Sequence, residues 1–182
     1  LDVVAGNSPA YTLYERLGFE HFTGKAELVY ERADPPSAAP LPQGYRVARV
    51  SPDDWRSAYD LARRITPAAV TRFDPVEAQR FREQGMVSAL APLHRLVTGS
   101  RSEAFLLHAP GGAVVAHTVY STRTRQGGRS LIRISLDPAH AAPAAFLVRA
   151  TLRGVLDAGP GRRVNFSVAH WQPALLAAAE DA

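Results

Sequence analysis

The chain has 182 residues, 46% of them hydrophobic and 21% charged, which is enough apolar material for one packed domain, or for one domain and part of another. It contains no cysteine, so disulfides, thiolate metal sites and a cysteine nucleophile are excluded. No run of about 18 apolar residues occurs and no basic-then-apolar leader opens the sequence, so it reads as a cytoplasmic protein without a membrane partner.

Leu1-Asp2-Val3-Val4-Ala5-Gly6 is a short apolar run ended by glycine and predicts a buried strand. Asn7 or Ser8 then caps a helix with Pro9 in its first turn, where a missing N–H costs nothing. Ala10, Leu13, Tyr14 and Leu17 recur at helical spacing and share one apolar face, and Gly18 supplies a left-handed stop. Residues 19–22 and 26–32 are β-prone runs about Thr23-Gly24 and predict a hairpin. Residues 33–44 carry four prolines and read as a stiff linker at a domain boundary.

Past the linker, residues 45–50 alternate like a strand, and Ser51-Pro52-Asp53-Asp54 combines a cap, a proline and two acids, starting a helix that should reach Arg64. Asp74-Pro75-Val76-Glu77 repeats that start signal for a helix ending near Gly85. Residues 103–109 and 113–122 flank Pro110-Gly111-Gly112, predicting two antiparallel strands, and Gln126-Gly127-Gly128 turns the chain into a further strand over 130–136. A helix over 146–156, a strand over 163–168 and an alanine-rich helix from Pro173 complete the order.

Of the 21 basic residues only Lys25 is lysine. The densest arginine group, Arg123, Arg125, Arg129 and Arg133, lies around one turn with few aromatics between, which reads as solvated surface and not as a nucleic-acid footprint. His108 and His117 fall on adjacent predicted strands but have no carboxylate pair nearby, so no metal site is expected. Ser135 and His140 lack a nucleophile-elbow context.

The two ends of the chain resemble each other. Residues 3–10 and 166–174 both run strand, polar break, Pro-Ala, helix. The pattern N-x-x-A-x-x-L-Y-E-x-L-G-F over residues 7–19, behind an apolar strand and before a hairpin, resembles the C-terminal motif of the GNAT superfamily of acetyl-coenzyme A-dependent N-acetyltransferases. From Tyr45 onward the order of elements is similar to the same fold begun again. The resemblance implies an α/β (α+β) fold with a mixed, mostly antiparallel sheet flanked by helices. It implies that residues 1–32 are the C-terminal part of a first GNAT-like domain, 33–44 a Pro-rich linker, and 45–182 a second such domain lacking its C-terminal hairpin.

The resemblance also implies transfer of an acetyl group from acetyl-CoA to a primary amine of a small molecule or protein, with Tyr14 as the acid that protonates the departing thiolate and Asn7 and Ala10 contacting the coenzyme. Periodicity alone favours packing for Tyr14 and capping for Asn7, and the full motif brings the functional readings level with these. No residue stands out as the general base. Family members hold the coenzyme pyrophosphate in a glycine-rich loop at a helix N-terminus. The corresponding stretch in the second repeat, residues 137–145, has no glycine and contains two prolines, and the position matching Tyr14 falls on Ala178 or Ala179. Activity is therefore expected in a complete first domain. The alternative is a non-catalytic GNAT-like scaffold, dimerisation or ligand-sensing module, with a homodimer left open. An open polar pocket between strands 130–136 and 163–168 would favour ligand binding, and one filled by Phe146, Phe166 and Trp171 a scaffold.

Overall fold

Capping chemistry opens the first helix. In the computed structural model, which describes residues 3–31, 34–89, 100–123, 130–158 and 164–182, the Asn7 carboxamide accepts from the Ala10 amide at 3.2 Å and opens α1 (Ser8–Arg16). Gly18, at φ +83°, ends that turn in the left-handed conformation that disfavours any residue with a Cβ. Strand β1 (Lys25–Tyr30) follows, then β2 (Arg46–Arg49). The Asp54 carboxylate accepts from the Ser51 amide at 2.7 Å within a short 3-10 turn that leads into α2 (Trp55–Ile65). Next come α3 (Ala68–Thr71) and α4 (Ala78–Ala89). The strands β3 (Ser100–His108), β4 (Val114–Arg123) and β5 (Leu131–Leu136) precede α5 (Ala144–Ala158), β6 (Val164–Ala169) and α6 (Pro173–Glu180). The expected turn at Gln126-Gly127-Gly128, with Leu1, Asp2, Ala33, Arg125, Arg129 and Arg163, lies outside the described residues.

β2, β3, β4 and β5 form one antiparallel sheet in that order, and β1 and β6 form a second, with Lys25 opposite Ala169 and Tyr30 opposite Val164. One core lies where α5 covers both: Leu147, Val148, Leu152 and Val155 pack with Leu107, Tyr120, Ile132 and Leu136 of the larger sheet and with Val164, Phe166 and Val168 of β6. Gly154 is needed there, because a Cβ at that position would lie 2.6 Å from the Tyr120 hydroxyl. Helix α2 lies against β4 and buries Ala58, Leu61 and Ile65.

Three expectations are corrected. Residues 3–6 form a turn, with Gly6 at φ +87°, and not a strand. Residues 19–22 also form no strand, so the predicted hairpin is absent. Their aromatics are engaged through side chains instead: Phe19 meets Tyr14 edge-on at 5.7 Å and Phe22 meets Phe73 at 4.9 Å. β1 thus finds its partner in β6, 134 or more positions away along the chain (Tyr30 to Val164). Third, the apolar face of α1 is uncovered, with no buried residue in the helix and Leu13 and Leu17 more than half exposed.

The described part of the proline-rich segment, residues 34–44, forms no helix or strand, and it is tied down. Arg149 donates to the Ser37 hydroxyl at 3.0 Å, Arg153 to the Pro36 carbonyl at 3.1 Å, and the Tyr30 hydroxyl to the Asp34 carbonyl at 2.8 Å. These bonds strap residues 34–37 along α5, and Tyr30 at the end of β1 is buried in the core. Replacing Tyr30 by Ala removes a buried ring and this hydrogen bond and is expected to lower the unfolding free energy by about 3 kcal/mol. Val29→Ala, on the half-exposed face, should change it by less than about 0.5 kcal/mol. Urea unfolding of both variants checks this, and equal effects would contradict the pairing.

His117 of β4 lies opposite Leu106 and Ser135 and is buried. Burial, and secondarily the charge of Arg133 on β5, push its pKa down from 6.5 to about 4. Between these values the unfolded chain holds a proton that the folded ring does not, so this group destabilises the fold as pH falls from 6.5 toward 4 and adds nothing further below. Its share is about 2–3 kcal/mol between pH 7 and pH 4.5. Unfolding at the two pH values should show a loss smaller by that amount in His117→Gln; identical losses would contradict the assignment.

Candidate functional site

A cleft of about 1540 Å³ opens beside α1. Tyr14 and Glu15 of α1, residues 18–27, the end of α2, residues 70–81, Arg133 of β5 and Ala169-His170-Trp171 line it. The β1–β6 ladder creates this juxtaposition: continued past Lys25–Ala169, it closes with the His170 amide donating to the Gly24 carbonyl at 2.9 Å. Gly24 allows a close approach at that crossing, since a Cβ would sit 2.7 Å from the His170 ring and the exposed ring would have to move.

Tyr14 is half-buried, leans on Phe19, and its hydroxyl makes no hydrogen bond among the described residues. A free phenol facing a cleft is chemically able to donate a proton to a bound molecule. Asn7 and Ala10 are placed differently: they satisfy each other through the cap, and neither lines the cleft. Ala178 and Ala179, at the matching point of the second repeat, pack against the core.

The stretch 137–145 does not fit a pyrophosphate. The Asp137 carboxylate already accepts from the Ala139 amide at 3.0 Å and pairs with Arg64 at 3.0 Å, so an internal anion occupies the turn. The His140 amide is bonded to the Asp137 carbonyl and the Ala144 amide to the Ala141 carbonyl, while Pro138 and Pro143 carry no donor. His140 is engaged with the Tyr45 hydroxyl at 3.0 Å. Pro143 and Ala144, at the start of α5, are buried.

The gap between β5 and β6 is also closed. These strands touch without sharing a ladder, and the buried Gln172 reaches across, its side-chain oxygen accepting from the Leu136 amide at 3.2 Å. Phe166 is buried in the core and Phe146 packs against it, whereas Trp171 faces the α1 cleft.

Gln172 was invisible in the sequence, since one glutamine before a helix-starting Pro-Ala carries no periodic signal. Arg133 was grouped with surface arginines; it is exposed, but on the cleft wall. Phe22, Phe73 and Trp171 fall in three separate segments, and only the fold assembles them. His108 bonds to the Gly112 carbonyl at 3.1 Å while His117 sits opposite Leu106, so the two do not form a pair. Among the described residues no three His, Asp or Glu side chains cluster as metal ligands, and no helix is long and apolar enough to cross a membrane.

No family profile matches the sequence, and no curated protein matches it either. Solved structures do. A tandem GNAT protein from the clavulanic acid biosynthesis pathway, determined without AcCoA, matches 97% of this chain and 56% of its own at 19% identity and a TM-score of 0.56. A GCN5-related N-acetyltransferase from Sphaerobacter thermophilus matches 92% of this chain and 49% of its own at 18% identity and a TM-score of 0.59. The chain thus spans about half the length of each of these proteins. The α/β arrangement of helices around antiparallel sheets is therefore the fold of these GNAT proteins, the acyl-CoA N-acyltransferase fold.

Proposed function

We propose that this chain is part of an acetyl-CoA-dependent N-acetyltransferase acting on a primary amine in the cytoplasm. In this reading residues 1–32 close an active GNAT-like unit, residues 33–44 link it to its neighbour, and residues 45–182 are a second unit that keeps the fold and has given up the coenzyme. One observation carries the division of labour. The gap between β5 and β6 is sealed by Gln172 on the Leu136 amide, with Asp137 filling the turn beside it, while Tyr14 faces an open cleft with its hydroxyl free.

Acetyl-CoA supplies the activated acyl group. The nitrogen–carbon bond forms as the carbon–sulfur bond breaks, and the Tyr14 phenol gives its proton to the departing sulfur, leaving a phenolate that is reprotonated from solvent. The acceptor attacks as the neutral amine and gives one proton from nitrogen to solvent, matching the proton that solvent returns to the phenolate. Phe19, edge-on to Tyr14, holds the phenol ring. Asn7 and Ala10 act through the cap: by fixing the first turn of α1 they set the direction of the helix that carries Tyr14, and the cap uses only one acceptor site of the Asn7 carboxamide, leaving its NH2 group for the proposed coenzyme contact.

Two measurements test this. Calorimetric titration of residues 1–182 with acetyl-CoA is expected to give no saturable binding below about 1 mM, a level at which binding is worth about 4 kcal/mol; micromolar saturation would contradict a closed second unit. In a protein with the first unit complete, Tyr14→Phe should lower kcat on the order of 100-fold with KM little changed. An unchanged kcat would favour the non-catalytic scaffold reading instead.

A further inference from the structure

The ladder between β1 and β6 fixes which backbone groups of β1 face outward. The His170 amide donates to the carbonyl of Gly24, the residue directly opposite it, so positions 24, 26, 28 and 30 exchange hydrogen bonds with the other strand. The amides and carbonyls of Lys25, Glu27 and Val29 therefore point away from β6. No strand lies beyond β1 among the described residues, and the backbone groups of Glu27 and Val29 have no hydrogen-bond partner there.

The usual devices that blunt an edge are sparse here. β1 has no proline, its register with β6 runs without a bulge, and Val29 is 49% exposed. Its charges discriminate among partners. The side chains of Lys25, Glu27 and Val29 share the exposed face, whereas Leu28 and Tyr30 turn toward the core.

We propose that this edge is an interface between two copies of the chain, their β1 strands paired antiparallel across a two-fold axis through Leu28. Only certain registers bring outward groups face to face, and charge selects among them. An axis through Glu27 or through Val29 sets Glu27 opposite the partner's Glu27 or the partner's Glu31, like against like. An axis through Ala26 sets Lys25 opposite the partner's Glu27 but overlaps only residues 25–27 of each strand. An axis through Leu28 overlaps nearly the whole strand. It sets Glu27 opposite the partner's Val29, each such pair exchanging both backbone bonds, and Lys25 opposite the partner's Glu31 at either end. The Lys25 ammonium, 3.1 Å from the Glu27 carboxylate of its own strand, then sits between that acid and the partner's Glu31. The contact is isologous, so it closes as a dimer and joins the two small sheets into one. It does not depend on the acyl-transfer reading.

Sedimentation equilibrium of residues 1–182 should show a reversible dimer. Val29→Pro removes an outward N–H and leaves the donors of the β6 ladder in place, so it should raise the dimer Kd on the order of 30-fold, the effect of two symmetry-related hydrogen bonds. Lys25→Glu and Glu31→Lys should each raise it on the order of tenfold, and the two together should restore it. Within one strand these positions lie about 20 Å apart, so such a rescue has to come across the two-fold. The Glu27 and Val29 amides, fast to exchange in the dilute monomer, should slow as the dimer forms. A thermal melt checks that each variant is folded. A parent chain still monomeric at about 1 mM, a Val29→Pro dimer as tight as the parent's, or a double reversal no tighter than the single ones would overturn the proposal. Dimerisation that vanishes in a longer chain carrying upstream sequence would overturn it too, giving the edge to that sequence.

Discussion

Six residues before a proline-rich segment pair with six residues more than a hundred positions later, and the rest of the arrangement depends on that ladder. β6 has no ladder with β5, so β1 supplies its hydrogen bonds among the described residues, and the buried Tyr30 ties the end of the ladder into the α5 core. The same pairing carries α1 to the end of β6, where residues 18–24 face Ala169-His170-Trp171 across the cleft. Closing so long a loop costs more entropy than a local hairpin would. The strap from Arg149 and Arg153 to residues 36–37 offsets part of that cost by holding the connection against the helix.

Two breaks that follow strands, after β5 and after β6, are satisfied from within the protein. After β6, the break before α6 turns Gln172 inward to satisfy a β5 amide, and after β5 the Asp137 carboxylate and Arg64 satisfy one another and the local turn. A buried amide must find an acceptor, whether from a ligand or from the protein itself. Here the protein provides it. On the reading proposed above, that substitution satisfies the Leu136 amide without a coenzyme, although the Gln172 Nε2 is itself buried without a partner among the described residues, and the sheet then serves as one wall of a cleft whose other wall carries Tyr14.

Much of the fold was legible in the sequence because it is written in local chemistry. Asn7 with Pro9, Ser51 with Asp54, and Gly112 at its turn each specify a boundary within four residues, and the structure follows them. The hairpin over 19–32 was misread for a physical reason. An aromatic β-prone run cannot announce whether its rings will stack on neighbours or its backbone will enter a ladder, and Phe19 and Phe22 did the former. The apolar stripe of α1 was read correctly as a stripe, but nothing in periodicity says whether a partner covers it. Of the site, Tyr14 stood out through its motif, whereas Gln172 gains meaning only from the β5 amide it meets. Sequence spacing does not encode that.

The account stands or falls on the β1–β6 ladder, and amide hydrogen exchange of the chain reads it residue by residue. The β1 amides that face β6 should exchange with the same free energy as the β6 amides opposite them, while alternate β1 amides on the outer edge exchange quickly. If the whole of β1 exchanged orders of magnitude faster than β6, the strand would not belong to this sheet, and the cleft that depends on it would lose its wall.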